Sequence, residues 1–100
     1  MVTLSVTRSR VAAVLNGAEA LLQTEGWDPL HNPVILAIDR AAGFVPGKSS
    51  MDAEETTLAA WQMLADHIGA ASVSGWEREA GRTQLQVLAA VRQAAKAVAS

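Results

Sequence analysis

Apolar residues recur at every third or fourth position in the first quarter of the chain, which is the spacing of an amphipathic helix. This pattern predicts a helix from about Thr7 to Thr24, followed by Gly26 at the position where a positive φ ends a helix. Gly17 lies within this helix and indicates close packing against a neighbour. The expected apolar face consists of Val11, Val14, Leu15, Ala18, Leu21 and Leu22. Upstream, a short strand or an arm is expected from the alternation of Val2, Leu4 and Val6 with polar residues.

A second, shorter helix is predicted from Pro33 to Ala42. Asn32 can cap its start, Pro33 suits the first helical position, and Gly43 can end it. The run Val34 to Ile38 leaves almost no polar face, so this helix must be buried against the core or a partner chain. A buried strand is equally compatible with so short an apolar run.

A third helix is predicted from about Met51 to Ile68, with Ser49 or Ser50 as its cap. Its acidic first turn suits the positive end of the helix dipole. Gly69 follows the predicted end of the helix. The expected apolar stripe consists of Leu58, Trp61, Leu64, Ala65 and Ile68.

The last helix is marked by a Thr-x-x-Gln capping box at Thr83 and Gln86, and it continues to about Val98. The linker 70–80 before it contains Trp76, which could begin a short helical turn. The apolar face of the last helix consists of Leu85, Leu88, Val91, Ala95 and Val98, widened by Val87 and Ala94. These segments together predict an all-α fold, a compact bundle of about four helices.

Composition narrows the class of protein. The 100 residues are expected to form a single domain spanning 1–100, since domains of ~100–150 residues are usual. Half of the residues are apolar, which excludes a disordered chain, and the longest apolar run is too short to span a membrane. No cysteine is present, which excludes disulfides and fits a cytoplasmic protein, and no secretory signal is expected in the first ten residues.

Catalytic and metal-binding chemistry has little support in the pattern. His31 and His67 lack ligand spacing, and no nucleophile elbow or carboxylate pair is evident. The segment Gly43 to Ser49 is one residue short of a phosphate-binding loop. We therefore expect no enzyme activity, no cofactor and no metal.

Candidate partner-binding residues are Trp27, Trp76 and Arg82. Both tryptophans lie in predicted loops, where a large aromatic side chain can anchor an interface. The structural alternative is that Trp76 holds the linker on the core while Arg82 pairs with Asp66. Another alternative is a small-molecule pocket between helices, lined by Trp61, Leu36 and Leu88.

Part of the chain resembles the TetR-type repressors. Residues Thr7 to Asp28 resemble their first helix, and Ile38 to Gly47 resembles their turn. The resemblance implies a helix-turn-helix DNA-binding regulator. The segment from Lys48 to Glu55 would then begin the recognition helix, but it is mostly acidic. A DNA-binding protein should also gather its basic residues on one face, here Arg8, Arg10, Arg40 and Lys48.

Nearly the whole chain resembles a family of small actinobacterial and actinophage proteins known as a domain of unknown function. The resemblance depends on the order of four features. They are Gly26-Trp27 after the first helix, the apolar helix Val34 to Gly43, the stripe Thr57 to Ile68, and Trp76 followed by Gly81-Arg82-Thr83. The family usually has Asn-Asp after this last tryptophan, where Glu77-Arg78 stands here, and it often has a cysteine near the second helix. It implies a fold and an origin but no activity.

We expect a non-catalytic protein-interaction module that acts as a small homodimer. A homodimer is expected because the second helix is apolar all round and a 100-residue monomer has little interior. An unidentified protein is the other expected partner. Charge is uneven, with five acidic and no basic residues at 49–77 but four basic residues and one acidic residue at 78–100. This pattern is explained by solvated helix faces and dipole complementation, or alternatively by head-to-tail or two-fold electrostatic pairing between copies. The alternative function is the DNA-binding regulator.

Overall fold

The computed structural model describes residues 7–99, and this part of the chain folds into five helices. They are α1 (Arg8–Glu25), α2 (Val34–Ala42), α3 (Met51–Ile68), α4 (Val73–Glu77) and α5 (Gln84–Ala99). The all-α prediction is confirmed, and within residues 7–99 no strand is formed. The apolar run Val34 to Ile38 is helical rather than extended. The predicted strand or arm at Val2, Leu4 and Val6 lies outside the described residues.

The core lies where α1 packs along α5 and α2, with α3 closing the remaining side. Leu15 and Leu22 of α1, Ile38 of α2, Leu64 of α3 and Val91 of α5 are fully buried there. The expected faces of the first and last helices therefore point inward. Most of the apolar surface of α5 is covered within a single copy of the chain.

Helix α1 approaches α2 closely at Gly17. A Cβ atom added to Gly17 would lie 3.2 Å from the Cβ atom of Ala41, closer than nearly all contacts between side chains. Close packing at Gly17, expected from the sequence, is thereby confirmed.

Side chains satisfy the free backbone N–H groups at most helix starts. Thr7 accepts a hydrogen bond from the N–H of Arg10, and Ser50 accepts one from the N–H of Ala53, each at 3.2 Å. The capping box is confirmed in both directions. The N–H of Thr83 donates to Gln86 Oε1 at 3.0 Å, and the N–H of Gln86 donates to Thr83 Oγ1 at 3.2 Å.

Three ion pairs join α1 to its neighbours. Arg10 binds Asp52 on α3 through two hydrogen bonds, and Arg40 of α2 binds Glu25 in the same way at 2.6 and 2.9 Å. Arg92 of α5 holds Glu19. All three ion pairs are partly exposed, and such pairs contribute little to the free energy of unfolding. Their main effect is therefore to orient the helices.

The predicted stripe of α3 is partly wrong. Its buried face is centred on Thr56, Thr57, Ala60 and Leu64, while Leu58 is 50 % exposed. Threonine can lie inside because both hydroxyls are satisfied: Thr56 donates to the carbonyl of Asp52, and Thr57 donates to Asp39 Oδ1 at 2.6 Å. The hydrogen bond from Thr57 to Asp39 joins this buried face of α3 to α2, and Leu58 lies outside that face.

Two further expectations about burial are corrected. Helix α2 is not covered all round, because Leu36 is exposed while Val34, Ala37 and Ile38 face the core. Leu85 was expected on the apolar face of α5 but is 80 % exposed, since it lies in the first turn, before the face that contacts α1.

The Gly17 contact gives a test of the packing. Replacing Gly17 with Leu should lower the free energy of unfolding by about 2–3 kcal/mol, because the new side chain forces α2 away from α1. Ala13→Leu is the matched control, since Ala13 is exposed on the same helix and should change stability by less than about 0.5 kcal/mol. Equal urea midpoints for the two variants would contradict the close approach.

Candidate functional site

The end of α4 carries a buried carboxylate. Glu77 is the last residue of α4, and only 1 % of its surface is exposed. Helix α4 forms because Ser72 caps it, accepting a hydrogen bond from the N–H of Gly75 at 3.0 Å, and because Val73 is buried. One helical turn then carries Glu77 into the interior.

The carboxylate of Glu77 joins three segments. Its Oε1 accepts hydrogen bonds from the indole Nε1–H of Trp27 and from the backbone N–H of Val34, both at 2.8 Å. Val34 is the first residue of α2, so the negative charge also lies at the positive end of that helix dipole. A buried charge is tolerated when such donors surround it, and hydrogen bonds to an ionised acceptor are stronger than neutral ones.

The cap of α2 therefore differs from the prediction. Pro33 occupies the N-cap position and makes no side-chain hydrogen bond there, so Glu77 supplies the missing acceptor from 43 residues away in sequence. Asn32 instead donates its side-chain N–H to the carbonyl of Gly26 at 2.8 Å, which closes the turn between α1 and α2. Capping rules examine only neighbouring residues, so they could not find Glu77.

Trp27 takes part in this arrangement through two donors, its indole N–H and its backbone N–H. Its indole binds Glu77, and its backbone N–H donates to Gln84 Oε1 at the start of α5, at 3.2 Å. The ring packs against the hydrophobic core. Trp27 is thus a structural connection between α1, α4 and α5, and its N–H is not free for a partner.

Trp76 and Arg82, the other two predicted partner-binding residues, lie together. The guanidinium carbon of Arg82 is 4.2 Å from the centre of the Trp76 ring, and its Nε donates to the Trp76 carbonyl at 3.0 Å. Arg82 also pairs with Glu79 at 2.6 Å. The expected pairing of Arg82 with Asp66 is wrong, because Asp66 instead accepts from Gln62 at 2.8 Å.

An open groove of about 450 Å³ lies between α2, α3 and the connection from α3 to α4. Its apolar lining comes from Ile35 of α2, from Leu58, Trp61 and Ala65 of α3, and from Val73 of α4. The predicted pocket is corrected in part. Trp61 lines the groove, but Leu88 is buried elsewhere and Leu36 is not among the lining residues.

The polar groups in this groove are mostly engaged with the protein itself. Ser72 caps α4, and Gln62 binds Asp66. The indole Nε1 of Trp61 is buried and has no hydrogen-bond acceptor among the described residues. An unsatisfied buried donor costs about 1–3 kcal/mol, so Trp61 lowers the stability of the chain at this point of the groove.

The outer face of α3 extends the groove. Met51 and Leu58 lie seven residues apart on one side of the helix, and both are largely exposed. Glu54 lies on the same face, four residues before Leu58, and Asp66 lies four residues after Gln62. The result is an apolar stripe with acidic side chains beside it.

Asp39 lies where α2 meets α3. Its partial burial raises the pKa of its carboxyl above the ordinary value, and the hydrogen bond from Thr57 opposes that effect. At Asp28 the pKa is lowered, because the carboxylate accepts the N–H groups of Leu30 and His31 in an exposed turn. Both acids are therefore held by donors of their own chain.

Within residues 7–99, no three histidine or acidic side chains come together as metal ligands could. None of the helices in this part of the chain combines the length and apolar character needed to cross a membrane.

Residues 33–97 match a family of unknown function, DUF6197. The match covers all of α2, α3, α4 and most of α5, and it includes Glu77 and the groove residues. No curated protein and no solved structure matches the chain significantly.

Glu77 should be essential to stability. Glu77→Ala leaves two donors without an acceptor and is expected to lower the free energy of unfolding by about 3 kcal/mol, whereas Glu77→Gln keeps an acceptor oxygen and should lose about half as much. The control is Glu79→Ala, an exposed acid of the same connection, with an expected loss below about 1 kcal/mol. Thermal unfolding measures all three, and equal losses for Glu77→Ala and Glu79→Ala would refute the role of Glu77.

Asp39 should make stability depend on pH in a defined direction. Because its folded pKa is raised, ionisation weakens the native state, so its contribution is lost as pH rises from below its ordinary pKa through the raised value. Asp39→Asn removes that loss, and the variant should gain stability relative to wild type between pH 3 and pH 7. Urea unfolding at both pH values tests this. A variant that falls behind wild type as pH rises would contradict it.

Proposed function

The chain belongs to the DUF6197 family, and we propose that it is a non-catalytic protein-interaction module whose docking surface is the groove between α2, α3 and the α3–α4 connection. The observation that carries this proposal is the apolar lining of the groove, in which Leu58 is half exposed. An anchor side chain of a partner, inserted into such a recess, is the usual centre of an interface.

The chemistry of the lining favours a protein side chain over a small polar ligand. Small-molecule sites combine apolar walls with several converging polar groups that fix the ligand's orientation. Here Ser72 and Gln62 already bind their own chain. What the groove offers is apolar contact area from Ile35, Leu58 and Trp61.

The positions of the acid–base residues support a non-catalytic function. Glu77 is buried and bound by two donors of its own chain, so a substrate has no path to it. His31 is an exposed turn residue with Asp28 3.5 Å away, and it is not among the residues that line the groove.

The helix-turn-helix alternative ranks below this proposal. Eight residues, 43–50, separate α2 from α3, whereas the DNA-binding motif joins its two helices by a turn of three or four. Arg10 and Arg40 are bound to Asp52 and Glu25, so half of the basic residues named for DNA contact are already neutralised.

The remaining features of the proposal depend on the sequence. We propose an origin in an actinobacterium or its phage from the order of the four sequence features that carry the family resemblance, and a cytoplasmic location from the absence of cysteine. A homodimer stays a prediction. The argument for it from unburied apolar surface is weaker in the structure, because a single copy buries Val87, Leu88 and Val91 of α5 and the inner face of α2. Trp76 and Arg82 remain a second, smaller candidate contact surface.

A peptide-display selection tests the docking surface even though the partner is unidentified. Random peptides selected on the wild-type protein should be enriched for apolar residues and should lose binding to Leu58→Glu. Leu85→Glu is the matched control, because it places the same charge on an exposed leucine outside the groove. Thermal unfolding confirms that both variants fold.

Selected peptides should retain their affinity for Leu85→Glu. Failure to enrich any peptide, or equal binding to both variants, would show that the groove is not a docking surface.

A further inference from the structure

The surface of α3 beside the groove has charge of one sign. Between positions 49 and 77 the chain has five acidic residues and no lysine or arginine. Asp52 is bound by Arg10, and Glu77 is buried against Trp27 and Val34. The other three acids, Glu54, Glu55 and Asp66, are exposed on the outer surface of α3.

These acids border the apolar stripe. Glu54 lies one helical turn before Leu58, and Asp66 is held beside the groove by its hydrogen bond with Gln62, which lines it. From Met51 to Ala65 the stripe runs for about 21 Å along α3, at about 1.5 Å per residue. A partner helix of about 14 residues has that length, and its apolar side chains recur at the spacing needed to follow such a stripe.

Resting on the proposed function, we propose that the groove and the outer face of α3 bind a basic amphipathic helix of a partner protein. Its apolar side chains contact Leu58 and Trp61, and its lysine or arginine side chains lie opposite Glu54 and Asp66. Complementary charge of this kind raises the association rate and excludes acidic competitors.

A second copy of the chain fits this face poorly. In a two-fold pairing through α3, Glu54 and Asp66 of one copy would meet the same acids of the other, and like charges in an interface are unfavourable. The two basic residues of α5 do not remedy this, since Arg92 is bound to Glu19 and Lys96 also has an interaction within its own chain. The charge pattern therefore selects a partner with a basic helix.

Two designed helical peptides of 18 residues test the proposal. They share leucines at identical helical positions and differ only in having lysine or glutamate at the flanking positions. Binding is followed by isotope-labelled amide NMR shifts and by calorimetry at low and high salt. The lysine peptide should bind at least tenfold more tightly than the glutamate peptide, and it should shift the amide signals of Leu58 and Trp61. Its affinity should fall with added salt.

Charge variants of the folded protein locate the effect. Glu54→Lys should lower the affinity for the lysine peptide by about fivefold, because an exposed attraction becomes a repulsion. Asn16→Lys/Gln93→Lys adds the same charge on exposed positions of α1 and α5 and should leave the affinity unchanged within about twofold.

The outcomes separate this inference from the proposed function. Equal binding of both peptides, abolished in each case by Leu58→Glu, would overturn the basic partner while keeping the docking surface. Peptide binding that is unchanged by Leu58→Glu would overturn both the basic partner and the docking surface. A wild-type dimer in sedimentation that Leu58→Glu dissociates would show that the occupant is a second copy, and would also overturn the basic partner.

Discussion

The structure depends on the buried carboxylate of Glu77, whose hydrogen bonds come from an indole N–H and a backbone N–H. In place of water, the Glu77 carboxylate is stabilised by the indole N–H of Trp27, the backbone N–H of Val34 and the positive end of the α2 dipole. Those donors come from the turn after α1 and from the start of α2, so one oxygen atom fixes both against α4. Removing the acceptor leaves two donors unsatisfied in the interior, which is more costly than losing an exposed ion pair.

The groove is a consequence of that arrangement. Ile35 follows Val34, whose N–H is bound to Glu77, and Val73 lies one helical turn before Glu77 on α4. These two residues line the groove together with Trp61 of α3. The short helix α4 therefore has two roles, since one end holds α2 in place and the other end borders the surface that we propose for a partner.

Local rules recovered the helices because helical periodicity, glycine ends and caps are encoded within a few residues, as Thr83 and Gln86 illustrate. They failed where a long-range contact decided the outcome. Asn32 was expected to cap α2, but the cap is Glu77, 43 residues away. The apolar character of Leu58 predicts a core position, yet the buried face of α3 contains Thr57, whose hydroxyl is satisfied by Asp39, and Leu58 is half exposed. The groove could not be derived for the same reason, because its walls come from three separate segments. The contacts of the two tryptophans in predicted loops also lie outside these local rules, since Trp27 donates to Glu77 and Trp76 stacks with Arg82.

Amide hydrogen exchange at Val34 tests the central claim most directly. Val34 and Met51 are both the first residues of helices, where N–H groups ordinarily lack a partner and exchange quickly. If Glu77 holds the start of α2, the Val34 N–H should be protected to within about tenfold of core amides such as that of Val91, while Met51 should exchange freely. Exchange of Val34 as fast as that of Met51 would show that the buried carboxylate does not hold α2, and would remove the physical basis of the groove.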